Sequence, residues 1–260
     1  MEPAISFISD EKGIATITLQ REAAANSLNS EILQQLNATL DDISVNPSIR
    51  CVILTGTGQK AFCAGADLKE RKKMISNEVK QTVALIGHTF TKLETLPQPV
   101  IAAINGVALG GGLEMALACD IRISVPHAIF GLPETSLAII PGAGGTQRLP
   151  RLIGIAKAKE LIFTAAKIDS NEALQIGLIS KIVDYDSLLI EANQYATNII
   201  QNGPIALKQA KRAIHYGMDM DLQSGLKLEE ICYEATIPTK DRLEGLLAFS
   251  EKRKPIYKGE

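Results

Sequence analysis

The chain has 260 residues, with 27 Lys+Arg against 29 Asp+Glu for a net charge of −2; 46% of residues are hydrophobic and 22% charged. That balance excludes a largely disordered chain and argues against a general polyanion binder, and the length suffices to bury roughly 70–75% of the unfolded surface. Aromatic residues make up only 4% and Trp is absent, so stacking platforms for single-stranded nucleic acid are poorly supplied, and no run reaches the roughly 18 apolar residues of a membrane helix.

The N-terminal Met-Glu-Pro-Ala-Ile-Ser is too acidic and too short of apolar length for a secretory signal, so a cytoplasmic protein is expected. Residues 5–9 and 14–19 alternate and are β-branched, with Asp10-Glu11-Lys12-Gly13 between them, a hairpin pattern. Asn29 caps a predicted helix whose apolar face is Ile32, Leu36, Leu40 and Ile43; Asn46-Pro47-Ser48 ends it. Cys51–Thr55 reads as a fully buried strand. A small-residue stretch, Gly56–Ala66, leads to a charged helix opening near Leu68. A second helix at about 77–95 repeats Val79, Val83, Ile86, Phe90 and Leu93. Pro97 and Pro99 precede another apolar strand, Val100–Ile104, and Gly110-Gly111-Gly112 opens the short apolar helix Leu113–Ala118. Strands follow at 120–124 and 128–131, then a second glycine loop, Pro141–Gly145. From about 155 onward the pattern is helical apart from a strand at Leu178–Val183, so an α/β core carries a helical C-terminal lobe. Residue identities show no period of 20–50 residues.

Several chemistries find no support. Cys51, Cys63, Cys119 and Cys232 form no C-x-x-C and read as separate reduced core thiols. His88, His127 and His215 are far apart, so no metal site is expected. Gly56-Thr57-Gly58-Gln59-Lys60-Ala61 fits the dinucleotide pattern G-x-G-x-x-A. Gly65, however, interrupts the helix that should follow, and a charged helix stands where the second strand belongs.

Three small-residue loops, Ala64–Asp67, Gly110–Gly112 and Gly142–Gly145, allow backbone amides to approach a ligand; each equally serves to make a turn or let a helix pack. Two carboxylates stand out by setting. Glu114 lies inside the apolar helix and Glu134 between apolar segments, where burial raises a carboxyl pKa towards the range useful for proton transfer. Either also reads as an acid satisfied by nearby backbone, and their spacing alone does not bring them together.

The runs Phe62–Glu70, Asn105–Asp120, Phe130–Glu134 and Ile140–Leu149 resemble, in this order, the motifs of the enoyl-CoA hydratase/isomerase (crotonase) family. The resemblance extends from Asn26-Ser27-Leu28 to Glu251-Lys-Arg-Lys. Glu70–Met74 and Ile237–Phe249 further resemble the methylglutaconyl-CoA hydratase branch. It implies a spiral core of repeated ββα units over residues 1–195 and a helical oligomerisation lobe over 196–260, assembled as a homotrimer or a hexamer made of two trimers. Leu222, Leu226, Leu243, Leu246 and Leu247 fit such a lobe, or pack on their own core. It implies an oxyanion hole from the amides of Ala66 and Gly111, with Glu114 chiefly activating water and Glu134 protonating the α-carbon. Ala64, Ala66, Asp67, Leu68, Lys69 and Gly111 would line the acyl-CoA site, with Lys252 reaching CoA phosphate; Lys69 and Lys252 also read as solvated surface charge. The implied activity is hydration of a trans-2-enoyl-CoA to a 3-hydroxyacyl-CoA, as in fatty-acid β-oxidation, without metal or redox cofactor. Alternatives are 3-methylglutaconyl-CoA hydration in leucine degradation and enoyl-CoA isomerisation. A non-enzymatic alternative is RNA binding through one basic helical surface with Lys69, Arg71, Lys72, Lys73 and Lys80.

Overall fold

The alternating N-terminal segments pair as an antiparallel hairpin, β1 (Ile5–Ser9) with β2 (Ile14–Leu19); Asp10 closes the turn by accepting from the amides of Lys12 and Ile14. Helix α1 (Ser30–Val45) starts at Asn29, whose side chain accepts from the Ile32 amide at 3.0 Å. The stripe Ile32, Leu36, Leu40 and Ile43 is buried, with Leu33 beside it. Strand β3 (Cys51–Gly56) runs parallel to β2 and is buried at every residue, as an unbroken apolar run demands. These features come from a computed structural model that describes residues 3–260.

From β3 a unit repeats: a long buried strand, a short strand in a second sheet, then helix. The first turn is β3, β4 (Ala61–Cys63), α2 (Leu68–Arg71) and α3 (Ser76–Glu94). The second is β5 (Val100–Ile104), β6 (Val107–Leu109) and α4 (Gly111–Leu117). The third is β7 (Ile121–Ser124), β8 (Ile129–Gly131), the 3-10 turn Pro133–Leu137 and α5 (Gly145–Ile153). Helix α6 (Ile155–Phe163), β9 (Lys167–Asp169), α7 (Ser170–Gln175) and β10 (Lys181–Ile182) complete the core. The larger sheet has the order β1-β2-β3-β5-β7-β10 and the smaller β4-β6-β8-β9. Because β4, β6 and β8 pair in parallel, their C-terminal ends lie side by side, and the loops that follow them are gathered together. This is the crotonase-like α/β spiral that the sequence resembles.

Three expectations need correction. Strands β4, β6 and β9 were hidden in stretches read as loop, being only three residues each. The strand expected over Leu178–Val183 pairs only at Lys181–Ile182; Leu178 and Ile179 are buried but both amides turn back to Ala173. The basic surface from Lys69 to Lys80 is not one helix. Helix α2 ends at Arg71, Ile75 is extended, and the Glu78 carboxylate accepting from the Ile75 amide at 2.8 Å starts α3 afresh. The run Gly56–Ala61, already rejected as a dinucleotide motif, is a turn clamped from inside: the buried Asn26 amide donates to Thr57 and Ala61 carbonyls, and that of Asn105 to Gly58 and Ala61. Strand β4, not a phosphate-binding helix, follows it.

Helix α8 (Tyr185–Ile200) buries Leu188, Ala192 and Ala196 against the larger sheet, so a division at 195/196 falls within this helix. Beyond it, α9 (Pro204–Gly217) and α10 (Leu222–Glu234) pack on each other, and α11 (Lys240–Ser250) follows. Helix α9 buries no residue and α10 only Cys232. All four cysteines are buried free thiols, and burial pushes Cys51, Cys63 and Cys119 up to about 12. Among the described residues no helix is long and apolar enough to cross a membrane.

Candidate active site

The loops after β4, β6 and β8 enclose one wall of a cavity of about 640 Å³, and α3 with residues 137–143 supplies the other. Its lining is mostly apolar, with three ionisable side chains: Arg71, Glu114 and Glu134.

Two backbone amides converge on it. Ala66 is fixed by a bridge to Leu28: the Leu28 amide donates to the Gly65 carbonyl and the Asp67 amide to the Leu28 carbonyl, both at 2.8 Å. Gly111 is the first residue of α4, where no preceding turn supplies an acceptor. A methyl group built on Gly65 would come within 3.3 Å of the Gly111 nitrogen, and one on Gly111 within 3.7 Å of the Ala66 nitrogen, so the two amides are neighbours. Neither N–H meets an acceptor among the described residues. The glycines are required here. Gly110 turns the chain at φ +52°, ψ −125°, and a side chain there would meet the Glu134 carboxylate at 2.9 Å. A Cβ on Gly112 would fall 1.9 Å from the Cys63 carbonyl oxygen, so α4 sits directly against β4.

Glu114, in the first turn of α4, is 3% exposed. Its Oε1 accepts from the amides of Ala143 and Gly145, both at 2.8 Å. Arg148 holds that loop, bonding Glu94 through two nitrogens at 2.6 and 2.9 Å and the Ala143 carbonyl at 2.9 Å. Burial raises the Glu114 pKa, while the two amides and the Arg148 charge oppose the rise.

Glu134 sits on the 3-10 turn after β8. Its Oε2 is buried without a hydrogen-bond partner among the described residues. Burial lifts its pKa to about 7; the Glu114 charge adds to the lift and Arg71 opposes it. The two acids are thus differently prepared. Glu114 is buried but met by amides that favour its anion, whereas Glu134 retains a proton near neutrality.

Of the residues expected to contact acyl-CoA, Ala64, Ala66, Leu68 and Gly111 line the cavity beside Glu114 and Glu134. Asp67 does not: its carboxylate caps α2 through the Lys69 and Glu70 amides and pairs with Arg21 at 3.0 Å. Burial works against its ionisation, but these bonds outweigh it and hold its pKa below the usual range. Lys69 and Lys252 are exposed and outside the cavity lining. Sequence reasoning missed Arg71 as a cavity residue, having placed it on a solvated basic face. It also missed Leu137, Ile139 and Ile140, exposed apolar residues after Glu134. The one available signal was an apolar run continuing past the acid.

Residues 9–260 match the family model described as enoyl-CoA hydratase/isomerase. The chain belongs to the enoyl-CoA hydratase/isomerase family. Bacillus subtilis YngF, named for the same family, is 56% identical over 259 residues, covering 100% of both chains. Human mitochondrial methylglutaconyl-CoA hydratase is 49% identical over 255 residues, covering 96% of this chain and 75% of that one. The crystal structure of an enoyl-CoA hydratase from Bacillus anthracis superposes with a TM-score of 0.97 at 53% identity, covering 99% of this chain and 100% of that one.

Proposed function

We propose that this protein is an enoyl-CoA hydratase that adds water across the trans-2 double bond of an enoyl-CoA thioester. One observation carries the reading: two carboxylates, one held by two backbone amides and the other with an unpartnered buried oxygen, and two unpaired amides line the same apolar cavity. The thioester oxygen accepts from the amides of Ala66 and Gly111. Glu114 orients a water and takes its proton as the water oxygen bonds to the β-carbon. The π electrons move onto the thioester oxygen, giving an enolate that the amides stabilise, each by about 2.7–4 kcal/mol. The enolate collapses as the α-carbon takes the proton of Glu134. The product is a 3-hydroxyacyl-CoA, and one proton has passed from Glu134 to Glu114, to be restored through solvent. All electrons come from water and the double bond, so the reaction needs no redox cofactor, and in this reading the two amides polarise the thioester without a metal.

An isomerase needs only one group to shuttle a proton, so a second acid with an unpartnered buried oxygen favours hydration. The human relative's name points to methylglutaconyl-CoA, and a Clostridium acetobutylicum relative, 44% identical, is a short-chain-enoyl-CoA hydratase. Self-association as a trimer or hexamer is part of the proposal, supported by the outward-facing leucines of α10 and α11, such as Leu222 at 78% exposed and Leu246 at 59%. In such an assembly Lys252 would reach CoA phosphate from a neighbouring protomer. The test is loss of enoyl-thioester absorbance on mixing purified protein with crotonyl-CoA, with 3-hydroxybutyryl-CoA identified as product. Purified, folded protein that converts no enoyl-CoA, or that only moves the double bond, refutes it.

A further inference from the structure

Glu114 is the more deeply buried of the two acids, and what holds it lies outside α4. Both of its amide partners, Ala143 and Gly145, bond to Oε1, so Oε2 is the oxygen left to accept a proton from water. Those amides belong to a bend with no side-chain cap of its own: Gly144 stands at the head of α5 with φ +104°. A side chain on Gly144 would run into the Arg148 guanidinium, which lies directly across the bend. One guanidinium nitrogen donates to the Ala143 carbonyl at 2.9 Å, and the other two grip the Glu94 carboxylate at 2.9 and 2.6 Å. Residue 143 is thus held at both ends, its amide by Glu114 and its carbonyl by Arg148. Glu94 is the last residue of α3, the helix that gives Val83 and Ile86 to the cavity wall. Neither Arg148 nor Glu94 lines the cavity itself.

We infer that Arg148, braced by Glu94, is a positioning residue for the reaction: it fixes the bend whose amides turn Glu114 so that Oε2 meets the attacking water. This inference rests on the hydratase reading and extends it to two residues that touch neither substrate nor water. A forked Arg–carboxylate pair with a third bond to a carbonyl uses the planar guanidinium in full, a geometry that the ammonium of Lys does not reproduce. Misplacing a reacting group by about 1 Å can cost about 10²-fold in rate, so a rigid seat for the base matters. The clamp acts through charge as well. Of the elements packed on α4, α5 turns Arg148 towards Glu114 and α3 offers Glu94 behind it, while β4 and β6 carry no charged residue. Glu134 and Arg71 share the cavity with it. Against burial, the Glu114 anion is favoured by the two amides and by Arg148. Loosening the clamp weakens both supports together, so Glu114 would take up its proton at a higher pH and cease to act as a base there.

The test compares wild type with Arg148→Gln, Arg148→Lys, Glu94→Gln and the Arg148→Gln, Glu94→Gln double variant, each checked for folding by far-UV circular dichroism. In hydration of crotonyl-CoA, Arg148→Gln should lose about 10- to 100-fold in kcat with KM little changed. Its activity should also fall off at a higher pH on the acid side than that of wild type. Arg148→Lys keeps the charge without the fork, so it should recover part of kcat and most of the pH profile. The double variant should be no worse than Arg148→Gln alone, because the two residues act as one unit. Hydrogen–deuterium exchange over residues 141–149 reads the clamp without any reaction: the Ala143 and Gly145 amides should exchange faster in Arg148→Gln than in wild type. If Arg148→Gln is insoluble, Arg148→Lys and Glu94→Gln carry the same comparison. A wild-type kcat and pH profile in the variants would overturn the inference. So would a fall in kcat with the acid limb and the exchange both unmoved, which is the signature of a merely structural pair. Faster exchange in the variants, with no hydration of crotonyl-CoA or glutaconyl-CoA by wild type, breaks the hydratase reading alone.

Discussion

Replacing Glu134 with Gln preserves the side chain's shape and removes its proton equilibrium. In the folded protein this carboxyl has a pKa of about 7, against an ordinary value of 4.5. Between those values the folded state binds more protons than the unfolded one, so stability declines as pH rises. The contribution is intact below about 4.5 and fully lost once pH has passed about 7. Raising the carboxyl from 4.5 to about 7 corresponds to about 3.4 kcal/mol, and the partly solvated position of Glu134 reduces this to about 1.5 kcal/mol. Gln carries no such penalty. The Tm of Glu134→Gln relative to wild type should therefore climb by about 3–6 °C between pH 4.5 and pH 8, measured by thermal unfolding at one fixed protein concentration. Hydration of crotonyl-CoA should fall about 10²- to 10⁴-fold in the same variant. In wild type, kcat/KM should decline above pH 7 as the proton of Glu134 is lost. Parallel Tm-against-pH curves for the two proteins would refute a neutral, desolvated Glu134, and with it the assignment of this residue as the acid.

Three further outcomes follow from the packing. Gly112→Ala forces a methyl against the Cys63 carbonyl and should cost about 3 kcal/mol or more, read as a lower denaturation midpoint or as insoluble protein. Arg122 is buried and its guanidinium donates to the carbonyls of Leu178, Ala116 and Cys119, closing the C-terminal end of α4. Arg122→Leu should cost about 3 kcal/mol in urea unfolding and reduce turnover with it, because α4 carries both Gly111 and Glu114. Leu243→Asp combined with Leu246→Asp should shift the assembly to monomer in light scattering while leaving the circular dichroism of the chain near wild type; an unchanged mass would remove these leucines from any subunit interface.

What could be read from the sequence was whatever depends on near neighbours in the chain. The hairpin, the Asn29 cap and the stripe of α1 obey local periodicity, and the structure follows them; in α3 Ile86, Phe90 and Leu93 are buried while Val79 and Val83 are only partly covered. The spiral escaped that reading because its turns are unequal: the long strands begin at Cys51, Val100 and Ile121, with the whole of α3 inserted in the first turn. Three-residue strands such as β4 and β6 exist only through their partners across the smaller sheet, so no local pattern marks them. The site was legible as motifs but not as geometry. Glu114 and Glu134 stood out because an acid among apolar residues is costly, yet only the parallel stacking of β6 and β8 brings their loops together. Arg71 was misread for the converse reason. A basic residue beside Lys69 and Lys72 looks solvated until the apolar wall at Leu137–Ile140 is in place.

Of the two amides that meet Glu114, that of Gly145 opens the next helix, α5, and that of Ala143 lies two residues before it. The acid that would activate water is thus a structural peg for the segment following it. A chain that discarded this carboxylate to change its chemistry would leave the Ala143 and Gly145 hydrogens facing nothing and would have to redraw the whole Pro141–Gly145 bend. Side chains that only line the cavity, such as Leu137 and Ile140, carry no such obligation and can change without redrawing the backbone around them.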